Sequence, residues 1–213
     1  MTDRPIRDAA TIILLRDTNS GPSVLMGQRG AGAAFMPNKY VFPGGAVDAG
    51  DADVPLAAPL SNTTRAALAA NSTTKPETLA AAALRELAEE TGQIIAASGT
   101  GCPWPGFEGL CPDPSQLRFI FRAITPPGRP RRFDARFFLA PATALLTDPD
   151  DFSRAEDELG HLHWVPLAEA RALDMPFITE VVLAETAAVA AGTDAPGTPF
   201  FDNSGETSVF HRL

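Results

Sequence analysis

Apolar residues in this chain gather into short dense runs, and the spacing of those runs predicts a succession of strands around one long helix. Ala9 to Leu15 (Ala-Ala-Thr-Ile-Ile-Leu-Leu) is continuous and rich in β-branched residues, which predicts a strand buried on both faces. Thr18 to Pro22 carries turn residues. Val24-Leu25-Met26, leading to Gln28 and Arg29, then predicts a second strand pairing back as a hairpin. Gly30 to Asn38 reads as a loop in which Phe35 and Met36 anchor to the core. Tyr40-Val41-Phe42 reads as a short strand that ends in Pro43-Gly44-Gly45. Leu117 to Thr125, Phe133 to Leu139 and His161 to Val165 are further strand signals. Pro166 to Ala172 predicts a short helix and Ile178 to Ala191 a longer, largely buried one. From Gly192 onward the chain is rich in turn residues. Strands, a central helix, more strands and a terminal helix predict a mixed sheet between helical layers.

The central helix is the stretch from Glu77 to Gly92. Four consecutive alanines, Leu79, Leu84, Arg85 and Leu87 are strong helix formers, with Pro76 marking the first turn and Gly92 the stop. Thr74 and Glu77 have the spacing of a capping box. Glu86, Glu89 and Glu90 stand at i, i+3 and i+4, so their carboxylates share one face. That face borders the Leu79, Ala83, Leu87 side instead of opposing it. It also lies in the last two turns, where the helix dipole repels negative charge. Like charges at this spacing cost a few tenths of a kcal/mol more. A bound divalent cation is the simplest partner for such a cluster, because hard cations take carboxylate oxygens. A solvated acidic face is the alternative.

Composition narrows the setting. The chain has 213 residues, enough for a single domain, and a net charge of −9, which argues against non-specific nucleic-acid binding. Arg129 to Arg132 holds its one basic cluster. No apolar run approaches the length of a membrane span, and the opening Met-Thr-Asp-Arg-Pro lacks an apolar signal region, so a cytoplasmic protein is expected. Cys102 and Cys111 lie nine apart in a Pro/Gly-rich loop, match no zinc spacing and read as free thiols of a reducing compartment. Ala52 to Pro76 is an Ala/Thr/Ser/Asn/Pro-rich segment, long for a connection, in which Leu56, Leu60 and Leu68 allow one short helix.

Together these pieces form a pattern: Gly45, five residues, Asp51; then Glu77, seven residues, Arg85-Glu86-Leu87-Ala88-Glu89-Glu90-Thr91-Gly92. It resembles the Nudix box, G-x5-E-x7-R-E-U-x-E-E-x-G-U, split at its first Glu by the 25 residues from Ala52 to Pro76. Gln93 departs from the apolar residue the family prefers there, with Ile94 next to it able to supply the apolar anchor. The resemblance implies an α/β/α sandwich as one domain over residues 1–213, with the insertion at about 52–76 and a tail from about 192. It implies hydrolysis of a phosphoanhydride, with Glu86, Glu89, Glu90 and the Gly45 carbonyl holding Mg²⁺ or Mn²⁺ and Arg85 orienting a glutamate. The split box, with Phe35 to Pro37, Pro43 to Gly45, Asp48 and the Phe133 to Phe138 stretch, resembles the acyl-CoA diphosphatase branch.

A nucleotide or CoA-type small molecule is then the expected substrate. ADP-ribose, dinucleotides, nucleoside triphosphates or a non-catalytic sensor are the alternatives, and a homodimer is left open. By analogy with relatives that take their general base from a loop before the last strand, Glu156, Asp157 and Glu158 are candidates, with Glu158 favoured. Glu77 is a possible further metal ligand, Arg29 and Arg136 are possible phosphate contacts, and His161 or His163 is expected to face the core or the site.

Overall fold

The computed structural model describes residues 5–33, 36–205 and 207–213, so the loop residue Phe35 lies outside the described residues. The strands are β1 (Ile6–Thr18), β2 (Gly21–Arg29), β3 (Tyr40–Val41), β4 (Gly44–Ala46), β5 (Ala96–Ser98), β6 (Leu110–Pro112), β7 (Arg118–Ile124), β8 (Arg132–Pro141), β9 (Leu159–Pro166), β10 (Pro199–Asp202) and β11 (Val209–Arg212). The helices are α1 (Asn62–Ala69), α2 (Pro76–Thr91) and α3 (Phe177–Ala190). Nine strands form one mixed sheet in the order β11-β10-β7-β8-β1-β2-β3, with β4 also on β1 and β9 also on β2, while β5 and β6 pair separately. The β1–β8 and β10–β7 pairs are parallel.

The continuous apolar run of β1 is buried on both faces, as its composition predicts. Alternate residues serve opposite layers. Ile12 and Leu14 pack with Leu25 and Phe138 under α2, where Leu79, Ala80, Ala83 and Leu87 complete the cluster. Ile13 points the other way and joins Met26, Phe121 and Phe137 under α3 through Val182 and Leu183. The α/β/α sandwich is therefore built on one strand that contributes to both cores.

The hairpin of β1 and β2 pairs from Leu15–Val24 to Thr18–Gly21 and then splays. The β3–Pro43–β4 segment enters the fork: β3 pairs with Gly27 and Gln28, β4 pairs with Ala9 to Thr11, and Ile12 N–H donates to Pro43 O at 2.9 Å. This wedge places Gly44 and Gly45 beneath the last turns of α2.

Three sequence expectations change. Thr74 does not cap α2: the N-cap is Lys75, without a side-chain cap, and the Thr74 hydroxyl donates to Asp8 instead. Glu77 pairs at 2.9 Å with Arg65 of α1. The helix expected from Pro166 to Ala172 is a single 3-10 turn at Ala170–Ala172, too short to propagate as an α-helix. The turn-rich tail contains the β10–β11 hairpin, recruited to the sheet because Phe200 is buried with the Arg122 guanidinium 4.3 Å over its ring. Two apolar residues are too few to announce a strand by periodicity.

The segment from Ala52 to Pro76 is also more than a surface loop. Ser61 caps α1 through the Thr64 N–H, Pro59 keeps the helix from starting earlier, and Leu60, Thr64 and Leu68 are buried. Its end is fastened from below: Arg122 donates to Ala70 O and Asn71 O, and Arg136 to Ser72 Oγ. Both arginines meet Asp134, and Arg136 also meets Asp8. Arg136 is 1% exposed and so is a structural cation, not a substrate contact. Removing one partner from such a buried network is costly. Arg136→Met is expected to lower stability by about 3 kcal/mol, read as a lower urea midpoint at unchanged slope.

Candidate active site

The site is assembled from the last two turns of α2, the β3–β4 wedge, the 3-10 turn Ala49–Asp53, the end of β2 and the loop before β9. Its hub is Arg85. All five guanidinium N–H groups have acceptors: Nε and Nη2 reach Asp51 at 2.8 and 3.1 Å, and Nη2 reaches Ala46 O at 3.0 Å. Nη1 reaches Glu86 Oε1 and Glu89 Oε2, both at 2.8 Å. Burial works against the charge of Arg85. The hydrogen bond to Asp51 and the negative charges of Glu86 and Asp51 outweigh it and hold the pKa above its ordinary value. Asp51 itself is 2% exposed. The two halves of the interrupted motif thus meet in space through the Arg85–Asp51 pair, while Glu77 is turned away toward α1.

The three glutamates differ in surroundings. Glu86 lies against Gly45 so closely that a β-carbon there would fall 2.4 Å from Glu86 Oε1, so any side chain at position 45 would push the Glu86 carboxylate out of its place. Glu90 is 3% exposed and accepts the Gly44 N–H at 2.7 Å. Glu89 is the most open of the three. Burial raises all of them, Glu86 to about 7 and Glu90 to about 8. The Arg85 charge opposes this at Glu86 and the Gly44 amide opposes it at Glu90. The negative charge of Glu158 adds to the rise at both. Glu158 itself is exposed, on the loop just ahead of β9.

Among the described residues no three acidic, histidine or cysteine side chains converge closely enough to hold an ion as they stand. Glu86 and Glu89 each give an oxygen to Arg85 instead. The chemistry of the donors nonetheless suits a hard divalent cation: carboxylates withdrawn from water, with pKa values pushed up by burial and by each other. A pH dependence follows. Glu86 and Glu90 have folded pKa values above the ordinary 4.5, so the metal-free fold favours their protonated forms. That contribution is fully present below about pH 4.5 and is lost as the pH rises through about 7 to 8. Thermal midpoints measured in chelator should fall across this window, and added Mn²⁺ should reduce the fall.

Arg29, at the end of β2, is half-buried, and its positive charge acts on Glu90. His161 and His163 are both exposed; His163 packs edge-on against Tyr40 with ring centroids 5.8 Å apart, so neither enters the core. On the Glu89 side a cleft of about 120 Å³ lies between Arg85, Ala88, Trp104, Arg154 and Glu156. A larger cleft of about 370 Å³, between α1, the start of β7 and α3, contains none of the carboxylates described above.

Asp51, which closes the Gly45 half of the interrupted pattern, is brought to Arg85 by the fold. The residue whose part the sequence undervalues is Gln93, which reads there as a tolerated departure beside Ile94. Ile94 is indeed buried with Ala96 and Phe107. Gln93 is fully buried too, and hydrogen-bonds the acidic loop that carries Glu158. A polar residue where the pattern wants an apolar one was the available signal.

Comparison with known proteins agrees with this layout. A family profile described as the NUDIX domain matches residues 73–185, more than half of the chain. The chain is 31% identical over 177 residues to putative nudix hydrolase 7 of Caenorhabditis elegans, covering 75% of this chain and 51% of that protein, so it spans about half the length of this curated relative. The crystal structure of a NUDIX hydrolase from Alicyclobacillus acidocaldarius is 29% identical with a TM-score of 0.64, covering 91% of this chain and 98% of that one. The NUDIX domain of Shewanella oneidensis NrtR, complexed with ADP ribose, is similar in fold at 12% identity and a TM-score of 0.54, over 86% of this chain and 88% of its own. A C. elegans Ap4A hydrolase binary complex is similar in fold at 17% identity and 0.51, over 88% and 99%. With the profile spanning α2 and its Arg-Glu-x-x-Glu-Glu hub, and the sheet shared with these structures, the chain belongs to the Nudix family.

Proposed function

We propose that this chain is a divalent-metal-dependent hydrolase that cleaves the phosphoanhydride bond of a nucleotide-type substrate, with CoA or an acyl-CoA as that substrate. The observation that supports this reading is the pair Glu86 and Glu90. Glu90 is buried and Glu86 half-buried beside Gly44 and Gly45, with pKa values pushed to about 8 and about 7, on a helix end that repels them.

Glu86, Glu89, Glu90 and the Gly45 carbonyl would hold Mg²⁺ or Mn²⁺. When bound, such an ion neutralises charge on the phosphate oxygens and makes the attacking water more acidic. Arg85 holds Glu86 and Glu89 in place from below. Arg29 meets a phosphate of the substrate. Glu158 takes a proton from the attacking water on its carboxylate as the water oxygen bonds to phosphorus and the bridging P–O bond breaks. The products are two phosphate-ended halves. A binding protein without turnover would not need the complete Arg85, Glu86, Glu89, Glu90 set.

CoA is favoured by the split box and the Phe133 to Phe138 stretch, which resemble the acyl-CoA diphosphatase branch. ADP-ribose or a dinucleotide is the second reading, supported by the ADP ribose and Ap4A named for two proteins of the same fold. We read residues 1–213 as one domain in which 52–76 is an insertion bound to the core by Leu60 and Leu68. A reducing, cytoplasmic setting is part of the same reading, supported by the free thiols of Cys102 and Cys111.

The purified protein with Mg²⁺ should release 4′-phosphopantetheine and a nucleotide from CoA faster than it cleaves ADP-ribose, NADH or dATP. Faster cleavage of ADP-ribose would overturn the CoA assignment and leave the hydrolase reading standing.

A further inference from the structure

Gln93 follows the left-handed Gly92 cap of α2, and its side chain is fully buried. Its amide directs every hydrogen bond to one segment: Nε2 donates to Asp148 O at 3.1 Å and Asp151 O at 2.8 Å, and Oε1 accepts from Thr147 Oγ1 at 2.6 Å. Its own backbone N–H is fixed by Thr91 Oγ1 at 3.1 Å. The same segment touches α2 again where Glu156 N–H donates to Glu89 O at 2.8 Å. Two residues later comes Glu158, whose charge acts on Glu86 and Glu90.

This arrangement works against electrostatics. The segment from Asp148 to Glu158 carries Asp148, Asp150, Asp151, Glu156, Asp157 and Glu158, with Arg154 its one cation. It is laid over a helix end bearing three glutamates and the negative pole of the dipole. That repulsion is opposed at several points: Arg16 pairs with Asp150 at 2.7 Å, Trp164 Nε1 donates to Pro149 O at 2.9 Å, and Gln93 adds a third, uncharged anchor next to the helix end. A buried amide does this, because it satisfies two backbone carbonyls and a hydroxyl without adding charge. An apolar residue at position 93 would remove all three bonds: Asp148 O would keep only the Asp151 N–H and Thr147 Oγ1 only the Ile94 N–H, while Asp151 O would lose the amide that donates to it at 2.8 Å. The two neighbours divide the work: Ile94 fills the apolar site and Gln93 ties down the loop.

We propose that Gln93 is a positioning residue that, with the Glu156 N–H bond to Glu89 O, clamps the 146–158 loop to the end of α2 and so fixes where Glu158 stands at the edge of the carboxylate site. The proposal rests on the reading of Glu158 as proton acceptor. It is tested with Gln93→Met, Glu158→Gln and the double variant, each Mg²⁺-loaded and assayed on the fastest-cleaved of CoA, ADP-ribose, NADH and dATP.

Gln93→Met should lower kcat roughly 10- to 100-fold, the usual range for a group that orients a catalytic residue, with KM changed by less than about threefold. In the Glu158→Gln background the same change should cost less than about twofold, because the residue it positions is already disabled. Hydrogen exchange should rise in 146–158 and stay unchanged in α2. Losses that multiply in the double variant, or unchanged exchange in the loop, would overturn the clamp and leave Glu158 standing as the base. Full turnover by Glu158→Gln alone would overturn the base assignment and the clamp's catalytic purpose with it.

Discussion

Arg85→Ala is expected to be the most damaging single substitution in the chain. It removes all five hydrogen bonds of the hub and leaves Asp51, at 2% exposure, as a buried carboxylate without its cation. Breaking a buried ion pair from one side costs about 3–5 kcal/mol. Glu86 and Glu89 lose their shared partner at the same time and repel each other at the negative end of α2. Turnover should be lost together with stability. Arg85→Lys should recover little of either, because one ammonium cannot reach Asp51, Glu86, Glu89 and Ala46 O in the directions a guanidinium fork provides. Chemical unfolding of the three proteins in chelator reads the stability loss without reference to activity.

The second large effect should separate stability from catalysis. Glu90→Gln keeps the shape of the side chain and can still accept the Gly44 N–H, yet it removes a charge that burial opposes in the metal-free fold. The metal-free variant should therefore be at least as stable as the parent near neutral pH, with a smaller drop in thermal midpoint as pH rises. Turnover should fall about a thousandfold, since metal-ion charge stabilisation supplies several kcal/mol to the transition state. More stable and inactive is the signature expected of a carboxylate held against its own electrostatics for a ligand. A Glu90→Gln protein that is destabilised and active would mean that Glu90 serves the fold.

Much of this was legible in the residues themselves. The run Ala9 to Leu15 announced β1, the alanine-rich stretch announced α2, and the i, i+3, i+4 spacing put Glu86, Glu89 and Glu90 on one face, because helix and strand periods are local properties. Gly92 as the stop of α2 was equally plain, with φ of +72° at the cap.

What escaped was set by partners far along the chain. Thr74 and Glu77 have capping-box spacing, yet Asp8 and Arg65 compete for their side chains. Arg136 could not be told from a substrate arginine until β1 and β8 were paired and Asp8 stood beside it. The β10–β11 hairpin depends on the exposed edge of β7 and on Arg122 over Phe200, neither visible in a turn-rich tail. Gln93 looks ordinary in sequence because its partners lie more than 50 residues away.

Divalent-metal-dependent cleavage of a phosphoanhydride at the α2 carboxylates is the central proposal. The most direct measurement is the initial rate of product release from CoA, ADP-ribose, NADH and dATP across a Mg²⁺ titration, for the parent protein beside Glu90→Gln. The predicted result is cleavage of at least one substrate that is absent in chelator, saturates with Mg²⁺ and is lost in the variant. No product from any of the four, or equal rates with and without chelator, would contradict it.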